Sequence, residues 1–206
     1  MSANPSAPKR FSYRMAPLRG TVHLEVEPDQ VQLLNGQGEV TSSFRLAGAT
    51  SARFCEHVYR GIDMLRLDVH SEREHFRAVL HVRGLDPAND ESARQFLAGA
   101  ALLLQRLQAE SPRLRVELGG GPFERAAMLL LGLLSLLTGL GFAAHTLMEG
   151  AGSGDVIELM IGSITLSGIG LLAIASHPPG SKAPKLRPRV LAKQLLERAQ
   201  AGRHAH

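Results

Sequence analysis

The chain has 206 residues, of which 44% are apolar, and a formal net charge of +4. Its charges are segregated: residues 126–176 contain no lysine or arginine, whereas residues 177–206 contain seven basic residues and one acidic residue. This distribution excludes a single soluble globule with evenly spread surface charge, and the single cysteine, Cys55, excludes an internal disulfide.

The N-terminal segment, residues 1–18, opens with a stretch rich in Ser, Ala, Pro and Asn. Such a composition offers little apolar surface to bury, so we expect this segment to be disordered. It contains no apolar run of the kind that a secretory signal peptide needs, so no cleaved leader is expected.

Residues 19–84 alternate between apolar and polar side chains. Val22, Leu24 and Val26 alternate with polar residues, and the pair Asn35-Gly36 is a strong hairpin signal. Further short alternating runs follow as far as Arg83. This pattern predicts six or seven short strands in an antiparallel β-barrel or sandwich.

The period then changes to that of a helix. Apolar residues from Ala93 to Leu107 fall on one face, Asn89 or Asp90 can cap the start, and Ser111-Pro112 ends the pattern. We therefore expect one amphipathic helix that closes the open end of the barrel.

The order of elements in residues 19–110, several strands followed by one terminal helix, resembles the pleckstrin-homology-like (PH-like) superfold, including bacterial PH-like domains that occur beside membrane spans. The resemblance implies a binding or scaffolding domain. It assigns no lipid-headgroup residue, because the first hairpin has no Lys-x-Lys/Arg signature. The fold class that we expect is α+β, with a PH-like domain followed by a two-helix transmembrane hairpin.

Arg10 and Arg14 have the Arg-x-x-x-Arg spacing that opens PilZ domains, to which this segment is similar. That resemblance implies that the two arginines bind the phosphates and guanine of cyclic-di-GMP. The second element of that family, Asp/Asn-x-Ser-x-x-Gly, is absent from residues 35–38. A PilZ-like receptor is therefore kept as an alternative.

Two apolar stretches predict membrane spans. After a linker, residues 111–125, the segment 126–148 is 23 residues without a formal charge, and 156–176 carries only Glu158. At about 1.5 Å per residue, each can cross a hydrocarbon core of about 30 Å. Residues 149–155 form a Gly-rich connection between them.

Basic residues flank the two spans on one side only: Arg113, Arg115, Arg125, Lys182, Lys185, Arg187 and Arg189. The connecting segment has none. The positive-inside rule therefore predicts that both termini are cytoplasmic and that the loop is external, in the plasma (bacterial inner) membrane.

Small residues recur within the spans as two small-xxx-small pairs, Ser135 with Gly139 and Ser163 with Ser167. Such pairs let helix backbones approach closely in lipid. Two interpretations stay open: the two spans pack on each other through these residues, or the residues form the interface of a homo-oligomer.

The segment 177–206 is a basic tail. Five of its residues are candidates for contact with anionic lipid: Lys182, Lys185, Arg187, Arg189 and Lys193. The alternative is that these charges only set the orientation of the spans. An apolar helical stripe from Val190 to Leu196 could contact lipid or dock on the cytoplasmic domain.

No catalytic motif stands out, and the nine histidines have no metal-ligand spacing. We expect no enzyme activity, no cofactor, no metal and no nucleic-acid partner. The function predicted is that of a non-enzymatic membrane protein presenting a PH-like binding or scaffolding domain. Alternatives are an accessory subunit that docks in a larger membrane complex through its spans, and the PilZ-like receptor.

Overall fold

A computed structural model describes residues 8–84, 86, 89–120, 122–149, 155–176 and 183–201. The chain divides into two compact units. Residues 1–119 and 183–206 form the sheet unit, and residues 120–182 form the helical unit. The expected mixed α+β class is confirmed, with largely antiparallel sheets and four α-helices among the described residues.

The first sheet contains four antiparallel strands in chain order: β1 (Lys9–Arg14), β2 (Thr21–Val26), β3 (Gln30–Leu34) and β4 (Val40–Arg45). The first strand corrects the prediction that residues 1–18 are disordered. All six residues of β1 pair with β2, from Lys9 opposite Val26 to Arg14 opposite Thr21. Only its inward positions, Phe11 and Tyr13, are apolar or aromatic, so the strand depends on pairing rather than on its own composition.

The second sheet has the strand order β7-β6-β5-β8-β9. A single 3₁₀ turn at Leu46–Gly48 leads into its strands, which are β5 (Ser51–Tyr59), β6 (Ile62–His70), β7 (His75–Arg83), β8 (Val116–Leu118) and β9 (Lys185–Leu186). All neighbours are antiparallel except β5 and β8, which are parallel. One face, with Phe54, Leu67 and Leu80, is buried in the core, and the opposite face carries charged residues.

Helix α1 (Glu91–Glu110) provides the other side of this core. The Asp90 carboxylate accepts a hydrogen bond from the Ala93 backbone N–H at 3.1 Å and so caps the helix. Phe96 packs edge-on against Tyr13, with ring centroids 5.2 Å apart. The predicted helix and its cap are confirmed.

The C-terminal segment also belongs to the sheet unit. Helix α4 (Pro188–Ala201) packs along α1 and buries Leu191 and Leu195, while Val190 is 45% exposed. The predicted boundaries are corrected accordingly: the domain extends beyond 19–110, the linker 111–125 contains β8, and the tail 177–206 contains β9 and α4. Strands of two and three residues are too short to show a period in the sequence.

The helical unit consists of α2 (Pro122–Glu149) and α3 (Asp155–Ser176), which pack against each other. Ala126–Thr146 is long and apolar enough to cross a membrane, and little of it is buried inside the structure. The apolar part of α3, Met160–Ala175, is shorter than a typical span. By length and composition, the described residues thus contain one helix that could cross a membrane. Most of the predicted loop, residues 150–154, lies outside the described residues.

Candidate functional site

The β8–β9 ladder joins the two chain segments of the sheet unit, residues 1–119 and 183–206. Val116 is opposite Leu186 and Glu117 is opposite Lys185. The Leu118 N–H donates to the Pro184 carbonyl at 2.8 Å, and the Gly119 N–H donates to the Phe54 carbonyl at 2.9 Å. The chain therefore leaves the sheet unit toward residue 120 and returns from residue 182 on neighbouring strands of the same sheet.

Glu117 forms two ion pairs on the charged face of this ladder. Its carboxylate accepts a bond from Arg53 at 2.6 Å and contacts Lys185 Nζ at 2.9 Å. These two bonds lower the pKa of Glu117. Lys185, which the sequence suggested as a lipid contact, is thus paired with an acid of its own domain.

Asp68 organises a second charged cluster on the same face of the sheet. Although it is only 2% exposed, it contacts Arg66 Nε at 2.9 Å, Arg77 Nε at 2.7 Å and His75 Nε2 at 3.4 Å. The His75 ring stacks on His70 with centroids 4.3 Å apart. Burial, followed by the neighbouring His75, lowers the pKa of His70. The sequence alone does not reveal this cluster, because its members meet only through the strand register.

The remaining tail candidates lie at or near the start of α4. Arg187 and Arg189 are exposed, and Lys193 is exposed with Glu197 3.8 Å away. Lys182 lies outside the described residues. The basic tail is therefore a folded surface, from Ala183 to Ala201, rather than an extended linker.

The small residues of the spans lie close together where α2 meets α3. A Cβ on Gly139 would overlap Ser167 Oγ and lie 2.8 Å from the Ser163 carbonyl oxygen. A Cβ on Gly170 would lie 2.6 Å from the Gly132 carbonyl oxygen. Close contact between the helices thus requires glycine at these positions.

Other small residues of the spans have different surroundings. A Cβ added to Gly162 or Gly168 would have no atom within 4 Å, and Ser135 is half-buried. Of the four residues singled out for helix packing, Gly139, Ser163 and Ser167 meet at the α2–α3 contact.

Arg10 and Arg14 do not converge on one site. Both lie in the extended strand β1, where four residues span about 13 Å. Arg10 Nη2 is 3.6 Å from Glu25 Oε1, whereas Arg14 lines a polar cleft of about 360 Å³ with His81, Arg83 and Asp90. This geometry does not favour the binding of one nucleotide by both arginines.

A mainly apolar cavity of about 670 Å³ lies between α4 and the second sheet. Phe54, Leu118 and Leu195 contribute to its lining. At its border, the Arg198 guanidinium donates two bonds to Glu56, at 2.9 and 2.8 Å, which raise the pKa of Arg198. The volume falls within the range of about 300–1,000 Å³ that is common for small-molecule sites.

No protein-family model matches the chain, and no curated protein is similar to it. Within the part of the chain that the structure describes, no cluster of His, Cys, Asp and Glu is placed to hold a metal ion.

Proposed function

We propose that the chain is a two-pass integral membrane protein whose sheet unit is a non-enzymatic, PH-like binding or scaffolding domain. The observation that carries the proposal is the β8–β9 ladder. Because Glu117 and Lys185 pair in one sheet, the two ends of the helical unit are attached to the same folded domain. Residues 120–182 must then cross the membrane an even number of times, and Ala126–Thr146 supports two crossings rather than none.

Helix α3 makes the second crossing of the membrane. With 22 residues at about 1.5 Å each, the helix is about 33 Å long, against a hydrocarbon core of about 30 Å. Its apolar part, Met160–Ala175, is shorter, but Glu158 near its start can extend its carboxylate toward the interface. Small mismatches of this kind are accommodated by local thinning of the bilayer.

The orientation follows from charge. The basic residues that flank the helical unit, among them Arg115 and Arg187, support a cytoplasmic location for both flanks under the positive-inside rule. In a bacterium this orientation corresponds to the inner membrane, with both termini cytoplasmic.

The order of elements supports the PH-like part of the proposal. Four strands form the first sheet, three more begin the second, and α1 follows them. β8, β9 and α4 are additions to that plan, and the cavity beside α4 offers a volume suited to a ligand. The accessory-subunit alternative is supported by the outward-facing Gly162 and Gly168 in α3, past which another helix could pack closely.

The test is a topology measurement on the full chain. Reporters fused before Met1 and after His206 should both report the cytoplasm, and alkaline extraction should leave the protein in the membrane pellet. A matched reporter inserted after Gly152 should report the opposite side. Reporters at the two termini that report opposite sides would contradict the even number of crossings.

A further inference from the structure

The polar cleft that Arg14 lines, called the Arg14 cleft below, is built from three separate parts of the sheet unit. Its lining includes Tyr13 and Arg14 of β1, His81 and Arg83 at the end of β7, and Ser92 in the first turn of α1. The Arg14 N–H donates to Ser92 Oγ at 3.2 Å, and the His81 N–H donates to the Met15 carbonyl at 2.8 Å. These bonds hold the three parts together, so the cleft is a feature of the folded sheet unit alone.

The charged groups of the Arg14 cleft favour an anion. Arg14 and Arg83 are exposed, and neither forms an ion pair with an acid among the described residues. Asp90, an acid that also lines the cleft, already accepts a hydrogen bond from the Ala93 N–H as the cap of α1. Ser92 lies in the first turn of this helix, where backbone N–H groups have no intrahelical acceptor and the helix dipole favours negative charge. Both guanidinium groups and the start of α1 therefore attract a ligand of the same sign.

Tyr13 contributes a buried hydroxyl to the lining of the cleft. The residue is 1% exposed, and its hydroxyl has no hydrogen-bond partner among the described residues. Burial raises the pKa of Tyr13, so the hydroxyl stays protonated and remains a donor. A buried donor without an acceptor is unfavourable. A ligand that offers an acceptor to this hydroxyl would remove the penalty.

We infer that the Arg14 cleft binds the phosphate group of a small molecule, with Arg14, Arg83 and the Tyr13 hydroxyl as its donors. The donors belong to two strands and, at Ser92, to a helix start, so they surround the ligand rather than lie in one plane. A phosphate ester offers three strong acceptor oxygens, whereas a carboxylate offers two in a plane. The guanidinium fork also matches phosphate geometry and binds it through two parallel hydrogen bonds.

The size of the Arg14 cleft limits the ligand. Its volume of about 360 Å³ lies near the lower end of the range of about 300–1,000 Å³ for small-molecule sites. Free phosphate and a small phosphate ester are the two sources of such a group. Arg10 is not part of the lining and contacts Glu25, so the site differs from the paired-arginine site of the PilZ-like alternative. The inference goes beyond the proposed function and does not rest on the two-pass topology.

The experiment compares two double variants of the full chain, purified in a neutral detergent at 0.1 M salt. R14Q/R83Q removes two charges from the cleft, and R45Q/R73Q removes two from exposed arginines near the opposite end of β7. The ends of this nine-residue strand are about 27 Å apart, beyond the screening length of about 10 Å. Titration calorimetry measures the binding of inorganic phosphate and of ribose 5-phosphate, with acetate as the carboxylate control.

We expect R14Q/R83Q to weaken binding of both phosphate probes by about 100-fold, because each hydrogen bond to a charged group contributes at least about tenfold. R45Q/R73Q should change it by less than about twofold. If R14Q/R83Q does not fold, the single variants R14Q and R83Q replace it, each with a loss of about tenfold. Ribose 5-phosphate that binds more tightly than inorganic phosphate would assign the site to an ester, and the reverse order would assign it to free phosphate.

Tyr13→Phe tests the site without changing its charge. It should weaken phosphate binding by about fivefold, because one donor is lost. The melting temperature without ligand should stay the same or rise, since the variant removes a buried group that has no partner. A merely structural role of the hydroxyl would instead lower the melting temperature and leave phosphate binding unchanged.

Three results would overturn the inference. Equal weakening by both double variants would show that net charge, rather than the Arg14 cleft, attracts the anion. Acetate binding as tight as that of phosphate would show that the cleft does not select a phosphate group. Unchanged phosphate binding by Tyr13→Phe would contradict the role of the hydroxyl as a donor. Each result leaves the two-pass topology intact, because the reporters described above measure it independently.

Discussion

The two units of this protein bury different kinds of side chain. In the sheet unit, large apolar side chains such as Leu103 and Phe96 are fully buried. In the helical unit, large apolar side chains are outside, with Leu130 71% and Leu172 70% exposed, while Gly139 and Ser163 form the inner contact. The first arrangement is the one that water favours, because burying apolar side chains removes them from water. The second arrangement suits lipid, where exposed apolar side chains carry no free-energy penalty and close backbone packing stabilises the pair of helices.

The largest expected effect is on the core of the sheet unit. Leu195 of α4 is 1% exposed, so Leu195→Ala should destabilise the sheet unit by about 2–5 kcal/mol through lost burial and a cavity. Val190, on the same helix, is the matched control, and Val190→Ala should change the stability by less than about 0.5 kcal/mol. Chemical denaturation of the full chain in detergent measures both. Equal, small effects would mean that α4 is not part of the core.

An intermediate effect is expected at the α2–α3 contact. Gly139→Ala places a Cβ against the α3 backbone and should destabilise the helical unit by about 1–3 kcal/mol. Gly141, two residues further along α2, has open space around it, so Gly141→Ala should be neutral. Unfolding in mixed micelles distinguishes them. If both substitutions leave the stability unchanged, the close contact between α2 and α3 at Gly139 is contradicted.

The smallest expected effect is a pH dependence carried by Glu117. Its folded-state pKa is lowered by bonds to Arg53 and Lys185. The stability that it contributes is therefore fully present above its unfolded-state pKa of about 4.3, and it is lost as the pH falls through the lower folded-state value. Glu117→Gln should flatten the melting-temperature profile as the pH falls below about 4.3. The exposed Glu110 provides the control, since Glu110→Gln should leave the profile unchanged.

The comparison also shows which features local sequence can reveal. The period-two runs of residues 19–84, the stripe of α1 and the Asp90 cap were predicted, because each repeats over several residues. The apolar character of Ala126–Thr146 follows from composition alone. The close contact of Gly139 with α3 could be suggested from residue size, but not distinguished from an oligomer interface.

Tertiary structure decided the rest. β1 has few apolar residues and exists because β2 completes its hydrogen bonds, and β9 has only two residues. No local period marks such strands, so they could not be predicted. The apolar stripe of α4 was visible in the sequence, but only the tertiary structure shows that it packs on α1.

The sequence by itself determined an apolar pair of helices between basic flanks, since hydropathy and charge are properties of each residue. Only the tertiary structure decided that these flanks meet at the β8–β9 ladder. Pairing residues that are nearly 70 positions apart depends on backbone hydrogen bonds between Glu117 and Lys185, which no local pattern encodes.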